Sequence, residues 1–474
     1  MKVVSEAPVE TARRPGVVLA VACAAQFVCV LDTSIVNVAL PPLQDSLGLS
    51  PTGLQWVVSS YTLTFAGFLL LGGRVGDLFG RKRAFLGGLV LFAAASLAAG
   101  LAQEGWQVVV ARFAQGVGGA VLVPTTLSLI TTGFSEPRAR AKALSLLTAA
   151  AASGGALGGV IGGVLTGLLS WRWVFFVNVP LGVVLVVAAV WALPGRPPGH
   201  VRGRLDLPGS ISVTVGTAAL VFAVINAEER GWASTATLGS LALAAAAFAI
   251  FVVVERRAVD PVVPLDVFRV RSVTVANGLG ALVGGMLPAT MFFLVLYLQR
   301  VLGMDPLQAG LALTPGALGI ALGARGASRW LHALGPRRSY QLGTLVSAGA
   351  LLWLSGIDVA GRYPVDVLLP LTLAMAGFGM AGLPLTLTAT TGLGPARAGL
   401  ASGLLNTSRQ VGSAVGLAAL VAVATTWASR SGTIDRASLT SGFGMGFLVG
   451  AALLGVACVL AEALPGRREA HQPG

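Results

Sequence analysis

Charged residues are scarce in this chain. Only 11% of its 474 residues are Asp, Glu, Lys or Arg, whereas 55% are hydrophobic and the mean hydropathy is +0.82. Soluble domains carry about 25% charged residues, so this composition excludes a soluble protein. The net charge of +13 does not indicate a nucleic-acid partner, because no soluble stretch is long enough to display a basic surface. The sequence therefore predicts a protein embedded in the lipid bilayer.

Cysteine and histidine are also rare. The three cysteines, Cys23, Cys29 and Cys458, lie in apolar runs without Cys-x-x-Cys spacing, which argues against a disulfide framework and a thiolate metal site. The three histidines fall in predicted loops or the tail, which argues against a buried imidazole relay. No cluster of acids or histidines marks a membrane face, so a membrane-embedded enzyme such as a lipid transferase is disfavoured. We expect no enzymatic activity, no metal and no cofactor.

The apolar residues form long runs separated by short breaks. A bilayer core about 30 Å thick is spanned by about 20 helical residues. We count fourteen such runs, and an even number places both termini on one side of the membrane. The predicted spans are 17–40, 53–73, 84–102, 106–129, 143–168, 173–193, 207–226, 235–254, 273–298, 307–327, 340–357, 365–389, 401–424 and 440–462.

The distribution of Lys and Arg predicts the orientation. If the N-terminus is cytoplasmic, the tails and cytoplasmic loops, together with Arg325 at the cytoplasmic end of span 10, hold 24 of the 32 basic residues and the external loops hold six. Cytoplasmic loops of membrane proteins are enriched in Lys and Arg, so both termini are predicted to be cytoplasmic. The two remaining basic residues, Arg112 and Arg409, fall inside spans.

Two loops indicate an internal repeat. GRVGDLFGRKR, Gly73–Arg83, follows span 2, and SRWLHALGPRR, Ser328–Arg338, follows span 10; without gaps, Gly80 aligns with Gly335. Spans 1–6 and 9–14 then form two parallel units, an organisation typical of transporters. The predicted fold class is an all-α membrane protein with two six-helix bundles and two extra helices inserted between them. The divisions are an N-terminal tail 1–16, a first bundle 17–194, a linker with the inserted helices 195–255, a cytoplasmic loop 256–272, a second bundle 273–463 and a C-terminal tail 464–474.

Asp32, in the stretch LDTSIVNVALP, is the only acidic residue in the interior of a predicted span; the other acids fall in loops, tails or span ends. A carboxylate within a membrane is expensive, so it is retained where it is paired, faces water or is protonated. Asp32 and Arg112 lie about 6 Å and about 8 Å outward of the midpoints of their spans, which makes Arg112 the candidate partner. We predict a reversible proton site at Asp32; a structural hydrogen bond between helices is the alternative.

Span 4 carries a stripe of polar and small residues. Arg112, Gln115, Gly116 and Gly119 follow i, i+3, i+4, i+7 spacing, so they share one helix face. A face of this kind is expected to point into the protein rather than toward lipid.

Span 5 contains GGALGGVIGG, whose glycines form two adjacent rows at i, i+4 spacing. Such rows let another backbone approach closely, and they also let a helix bend. We predict a gate or seam, with tight static packing as the alternative. The rows are Gly154, Gly158, Gly162 and Gly155, Gly159, Gly163.

Polar residues on single faces of spans 1 and 2 predict a polar-lined substrate cavity. Hydrogen bonding between helices without substrate contact is the alternative, and for Arg409 the alternative is anchoring of its helix through backbone carbonyls. The candidates are Thr33, Asn37, Gln55, Ser59, Thr62, Gln115 and Arg409.

These motifs resemble the fourteen-helix drug:proton antiporter group of the major facilitator superfamily over nearly the whole chain. LDTSIVNVALP is similar to the group's helix 1 motif, and Arg112, Gln115 and Gly116 match its helix 4 motif. The glycine rows of span 5 are similar to its antiporter motif. The superfamily's motif between helices 2 and 3 is matched by Gly73, Asp77, Gly80, Arg81 and Lys82.

The resemblance implies roles for these positions. Asp32 would couple protons, Arg112 would modulate it electrostatically, Asp77 with Arg81 would form a conformational latch, and span 5 would be the gate. The chain departs from the family pattern in having Gly159 where a proline is usual and His332 in the second-half loop where the first has Asp77. No second membrane carboxylate is visible, which favours neutral, anionic or monocationic substrates over dications.

The predicted function is export of small lipophilic drugs, antibiotics or related metabolites across a bacterial cytoplasmic membrane, driven by the proton gradient and carried out by a monomer. A symporter or facilitator that imports a small metabolite on the same fold is the alternative. The expected partners are the substrate, protons and the lipid bilayer.

Overall fold

A computed structural model describes residues 15–134, 136–193, 207–258, 261, 263–391, 393, 397–431 and 435–465. Every regular element among these residues is helical. The predicted linker Pro194–Arg204 and most of both predicted tails lie outside them. The α-helices are α1 Pro15–Leu47, α2 Pro51–Phe79, α3 Arg81–Leu101, α4 Gly105–Gly133, α5 Pro137–Leu168, α6 Trp173–Phe176, α7 Asn178–Ala192, α8 Leu207–Arg230, α9 Thr235–Arg257, α10 Arg271–Gly284, α11 Met286–Leu296, α12 Pro306–Leu354, α13 Leu369–Thr391, α14 Ala398–Ala428 and α15 Arg436–Leu460. Two π-helical turns, Tyr297–Val301 and Tyr363–Leu368, extend α11 and precede α13.

Polar caps start several of these apolar helices. The Ser50 hydroxyl accepts a hydrogen bond from the Gly53 amide at 3.0 Å, and Pro51 occupies the first turn of α2, where a missing amide hydrogen does no harm. Asp305 and Gln308 form a capping box at the start of α12. The helices therefore begin where the sequence supplies acceptors for free amides, outside the apolar runs.

Membrane crossing follows from helix length and composition. Among the described residues, twelve helical segments are long and apolar enough to span a bilayer, so the protein crosses the membrane many times. The two other predicted spans, 53–73 and 340–357, fall in α2 and in the second part of α12. The arrangement is consistent with fourteen spans, and that count stays a prediction.

Exposed tryptophans mark the helix ends. Trp106, Trp173 and Trp232 lie near the predicted external ends of α4, α6 and α9, while Trp191 and Trp330 lie toward the predicted cytoplasmic side. Tryptophan is enriched where a membrane meets water, because its ring is apolar and its N–H is polar. The belt agrees with the predicted placement of these helices in the bilayer.

The helices pack as two bundles with a pair between them. α1 packs against α5, and α4 against α2 and α3; in the second bundle α12 packs against α13 and α14 against α10 and α15. The inserted helix α8 contacts both bundles: Thr214 fills the space beside Gly67 of α2, and Val221 packs with Ala414 and Ala418 of α14. The inserted pair therefore lies along the boundary between the bundles.

The internal repeat is visible in the backbone. Gly80 separates α2 from α3 with φ 89°, and Gly335 interrupts α12 with φ 80°. The two predicted loops are otherwise helical, since α2 continues to Phe79 and α12 runs on either side of Gly335. The sequence predicted a loop at each place, and the structure instead makes each turn at one glycine, because only glycine adopts a positive φ without strain.

We expect Gly80→Ala and Gly335→Ala each to lower the free energy of unfolding by about 1–3 kcal/mol, because positive φ combined with extended ψ is strained for any residue with a Cβ. Thermal unfolding of the purified protein measures this loss. Gly87→Ala is the matched control, since Gly87 lies within helix α3 and a Cβ there meets nothing within 4 Å. Equal unfolding temperatures for all three variants would contradict the assignment.

Candidate functional site

Asp32 lies at the centre of a polar cluster inside the first bundle. Its side chain is fully buried, at 0% exposure. Oδ2 accepts a hydrogen bond from Arg112 Nη1 at 2.5 Å, and Oδ1 accepts from Gln115 Nε2 and Asn178 Nδ2 at 2.7 Å each. Gln115 Nε2 also donates to Ser96 Oγ at 2.7 Å. Residues of α4 and α7 thus bond the carboxylate of α1 directly, and Ser96 of α3 bonds it through Gln115.

Arg112 neutralises this carboxylate and is itself held on several sides. It is 2% exposed, its Nη1 also donates to Gln115 Oε1 at 2.9 Å, and its Nε donates to the Val57 carbonyl at 3.1 Å. The Tyr61 ring lies over the guanidinium, with 4.4 Å from Cζ to the ring centroid. The contact predicted from membrane depth is therefore present. Removing one partner of such a buried pair leaves an uncompensated charge and costs about 3–5 kcal/mol.

The glycines of the α4 stripe bring α2 close. A Cβ at Gly116 would lie 2.5 Å from the Tyr61 carbonyl oxygen, and a Cβ at Gly119 would lie 2.8 Å from the Tyr61 hydroxyl. Thr64 Oγ1 donates across the same contact to the Phe113 carbonyl at 2.9 Å. The stripe therefore faces the protein interior, as its spacing predicts.

A cavity of about 230 Å³ lies between the two bundles. Its described lining is uncharged, and Gln26, Asn406 and Gln410 lie before the midpoints of α1 and α14, toward the ends predicted to be cytoplasmic. The lining residues are Gln26, Cys29, Val30, Thr33, Tyr61, Phe65 and Val123 from the first bundle, and Asn406 and Gln410 from the second.

Among the described residues, Thr33 is the one predicted cavity residue that lines this space. Gln115 belongs to the Asp32 cluster, and Asn37 is partly buried in α1. Gln55 and Ser59 are fully buried, and neither Gln55 Nε2 nor Ser59 Oγ has a hydrogen-bond partner in the described part of the chain. Thr62 donates to the Val58 carbonyl of its own helix at 3.3 Å.

Arg409 points into the second bundle. Its Nη2 donates to the Gly382 carbonyl at 3.2 Å, and its stem lies beside Gly280 of α10. This contact matches the alternative in which Arg409 anchors its helix through a backbone carbonyl. Its neighbours Asn406 and Gln410 face the cavity instead.

One glycine row of α5 packs within the first bundle. A Cβ at Gly154 would lie 2.6 Å from the Phe27 carbonyl oxygen and one at Gly162 would lie 2.8 Å from that of Ile35, while one at Gly158 would collide with Ser34. All three neighbours belong to α1. This row packs closely against α1, as the packing alternative predicts, and its role as a gate stays a prediction.

The other row meets the second bundle. A Cβ at Gly163 would lie 2.7 Å from Leu307 Cα, and one at Gly159 would lie 3.1 Å from the Gly310 carbonyl oxygen. Conversely, a Cβ at Gly310 would collide with the Gly159 carbonyl oxygen. The third member, Gly155, has only Val30 nearby, at 3.7 Å. We call this contact of α5 with α12 the glycine seam; it includes Gly159, Gly163 and Gly310.

Polar contacts close the same end of the molecule. Arg300 Nη2 pairs with Asp45 Oδ1 at 2.5 Å, and Gln299 Nε2 donates to the Val38 carbonyl at 2.9 Å. Both join the π-helical turn after α11 to the end of α1. Because Asp45 is 64% exposed and Arg300 33%, water screens their pair, which contributes little, about 0–1 kcal/mol.

The residues matched to the loop motif contact their own bundle. Arg81 Nη1 donates to Thr132 Oγ1 at 2.9 Å, and Lys82 Nζ donates to the Val190 and Leu193 carbonyls at 2.6 and 2.9 Å. Gly73 lies beside Pro124 of α4. The side chain of Asp77 lies outside the described structure. The predicted latch between bundles stays a prediction.

Sequence reasoning missed Asn178, Ser96 and Tyr61. Asn178 carried a usable signal: it is an amide inside an apolar span, about five residues or roughly 8 Å outward of the midpoint of 173–193, the depth shared by Asp32 and Arg112. Tyr61 carried none, because a tyrosine in a membrane span is more often packing than function.

Two helical bundles that meet over a central cavity within the bilayer define a membrane transport protein. The Major Facilitator Superfamily model matches residues 22–417. The chain belongs to the Major Facilitator Superfamily, and it is a transporter rather than an enzyme.

Curated relatives cover most of the chain. The cephamycin export protein CmcT of Amycolatopsis lactamdurans is 41% identical over 466 residues, covering 96% of this chain and 94% of its own length. The puromycin resistance protein pur8 of Streptomyces alboniger is 37% identical, covering 89% and 85%.

Solved structures share the fold at low identity. A peptide transporter POT in complex with sulfate has a TM-score of 0.68 at 18% identity, covering 95% of this chain and 96% of its own. A bacterial homologue of the human lysosomal transporter Spinster, in an inward-facing conformation, has a TM-score of 0.69 at 14% identity, covering 98% and 99%.

Proposed function

We propose that this protein exports small lipophilic antibiotics or related metabolites across the bacterial cytoplasmic membrane in exchange for protons, acting as a monomer. The observation that carries the proposal is the buried Asp32–Arg112 pair beside the central cavity. The relatives named for cephamycin export and puromycin resistance support an antibiotic-like substrate. The uncharged lining of the cavity, with amides and hydroxyls among apolar groups, suits such compounds.

The positions of the cavity and of the closed seam favour an inward-facing state. If the termini are cytoplasmic, as the basic residues predict, the glycine seam and the Arg300–Asp45 pair lie at the outer end. The cavity lies on the cytoplasmic side of that closure. Substrate would therefore enter from the cytoplasm or the inner leaflet in this state.

The exchange would proceed through Asp32. In the outward-facing state a proton from outside neutralises Asp32, the attraction to Arg112 weakens, and substrate leaves. Return to the inward-facing state lets Asp32 release its proton toward the cytoplasm and pair with Arg112 again. Proton and substrate are coupled because each changes the balance between the same two states.

We expect cells that carry this protein to accumulate less of an export substrate than cells that lack it, and we expect a protonophore to abolish the difference. A growth-inhibition panel in a pump-deleted bacterial host identifies the substrate, and its labelled form then measures accumulation. An importer would behave in the opposite way, since dissipating the gradient would lower accumulation. That result would overturn export.

A further inference from the structure

Tyr61 lies between the central cavity and the buried ion pair. It is 3% exposed and lines the cavity, while its ring covers the Arg112 guanidinium at 4.4 Å. Arg112 and Asp32 are almost wholly buried behind it. A water molecule that leaves the cavity for the pair must therefore pass this ring or the neighbouring Cys29 and Thr33 of α1.

The ring is held by packing contacts with Phe65 and Arg112. It stacks on Phe65 with 5.9 Å between centroids and lies in the slot left by Gly119, where a Cβ would come within 2.8 Å of its hydroxyl. No described residue forms a hydrogen bond with that hydroxyl. Stacking and the cation–π contact position the ring, yet no directional bond fixes it.

The geometry points to Tyr61 as the positioning residue that seals the Asp32–Arg112 pair from the cavity. The ring keeps the guanidinium on the carboxylate and excludes water from both. The consequence of this seal for coupling rests on the proposed proton exchange. With the ring in place, Asp32 exchanges protons with the cavity only when the bundles rearrange. A transporter without substrate therefore does not leak protons.

A water-soluble carbodiimide tests access to the pair. Applied to purified protein in nanodiscs, it modifies carboxyl groups that water reaches, and mass spectrometry quantifies modification at Asp32.

We expect Tyr61→Ala to raise the rate of modification at Asp32 about tenfold, in line with the loss of one desolvated cation–π contact. We expect the rate in Tyr61→Phe to stay within about twofold of that in the unsubstituted protein. Val123→Ala is the matched control, because Val123 also lines the cavity but lies about 16 Å along α4 from Arg112. Each variant is compared after its elution profile and unfolding temperature match those of the unsubstituted protein.

Three results would overturn the seal: an unchanged rate in a folded Tyr61→Ala, an equal rise in Tyr61→Phe, or an equal rise in Val123→Ala. Proton flux into substrate-free vesicles then separates the seal from the proposed function. Faster labelling together with faster proton flux in Tyr61→Ala supports both. A different outcome is faster labelling of Tyr61→Ala without proton flux. If the unsubstituted protein also moves no protons when substrate is present, this outcome supports the seal and refutes proton exchange.

Discussion

Asp32→Asn is expected to reduce proton-driven export in inverted membrane vesicles to the background of vesicles without the protein. Asn fits the same space and keeps hydrogen bonds to Gln115 and Asn178, but it neither binds a proton reversibly nor carries the charge that attracts Arg112. Asp32 is the only acid away from the ends of the predicted spans, so no neighbouring carboxylate replaces it. Substrate uptake driven by an imposed pH gradient measures the loss.

A folding defect must be separated from lost coupling. Asp32→Asn leaves Arg112 as a buried, unpaired cation, which costs about 3–5 kcal/mol. The double variant Asp32→Asn with Arg112→Gln removes both charges, so we expect it to recover the yield and unfolding temperature without recovering export. Full export by either variant would refute Asp32 as the proton site.

Gly310→Ala is expected to give the second-largest effect, a loss of transport of about tenfold or more. Its Cβ would collide with the Gly159 carbonyl oxygen across the glycine seam, and backbone on both sides leaves no side chain to move aside. Overpacking of this kind costs about 1–3 kcal/mol in the closed state, which shifts the population toward a state open at this end. Initial rates of substrate transport in vesicles measure the loss.

The control for this substitution is Gly155→Ala, one turn from Gly159 on the same face of α5. Its Cβ would meet only Val30, at an ordinary 3.7 Å, so we expect transport close to that of the unsubstituted protein. Protein yield checks folding in both variants. Normal transport by Gly310→Ala would show that close contact at the glycine seam is not required for transport.

The apolar runs and the loop glycines made most of the architecture predictable. Run length fixes where helices cross a bilayer, and the alignment of Gly80 with Gly335 located both backbone turns. Helix ends were harder, because α1 continues through Pro41 and Pro42 to Leu47 although the apolar run stops earlier. Its extension carries Asp45, which pairs with the other bundle, a tertiary contact that local pattern does not encode.

The candidate site was predictable to the extent that depth in the membrane encodes it. Asp32 and Arg112 lie at similar depths in their spans, and a buried charge requires a partner at the same depth, so the sequence was enough to predict the pair. The glycine rows of α5 were visible, yet the sequence did not say which row faces which bundle, since both have the same spacing. Which polar faces line the cavity depends on how the bundles are tilted, and Gln26, Asn406 and Gln410 were missed for that reason.

The absence of side chains at Gly159 and Gly310 has a thermodynamic consequence. If α5 and α12 separate at these glycines, no side-chain conformational entropy changes there, because neither residue has a side chain. The surface that is uncovered consists of peptide groups, which water solvates readily. Separation of the two helices at these two glycines would therefore cost little side-chain conformational entropy.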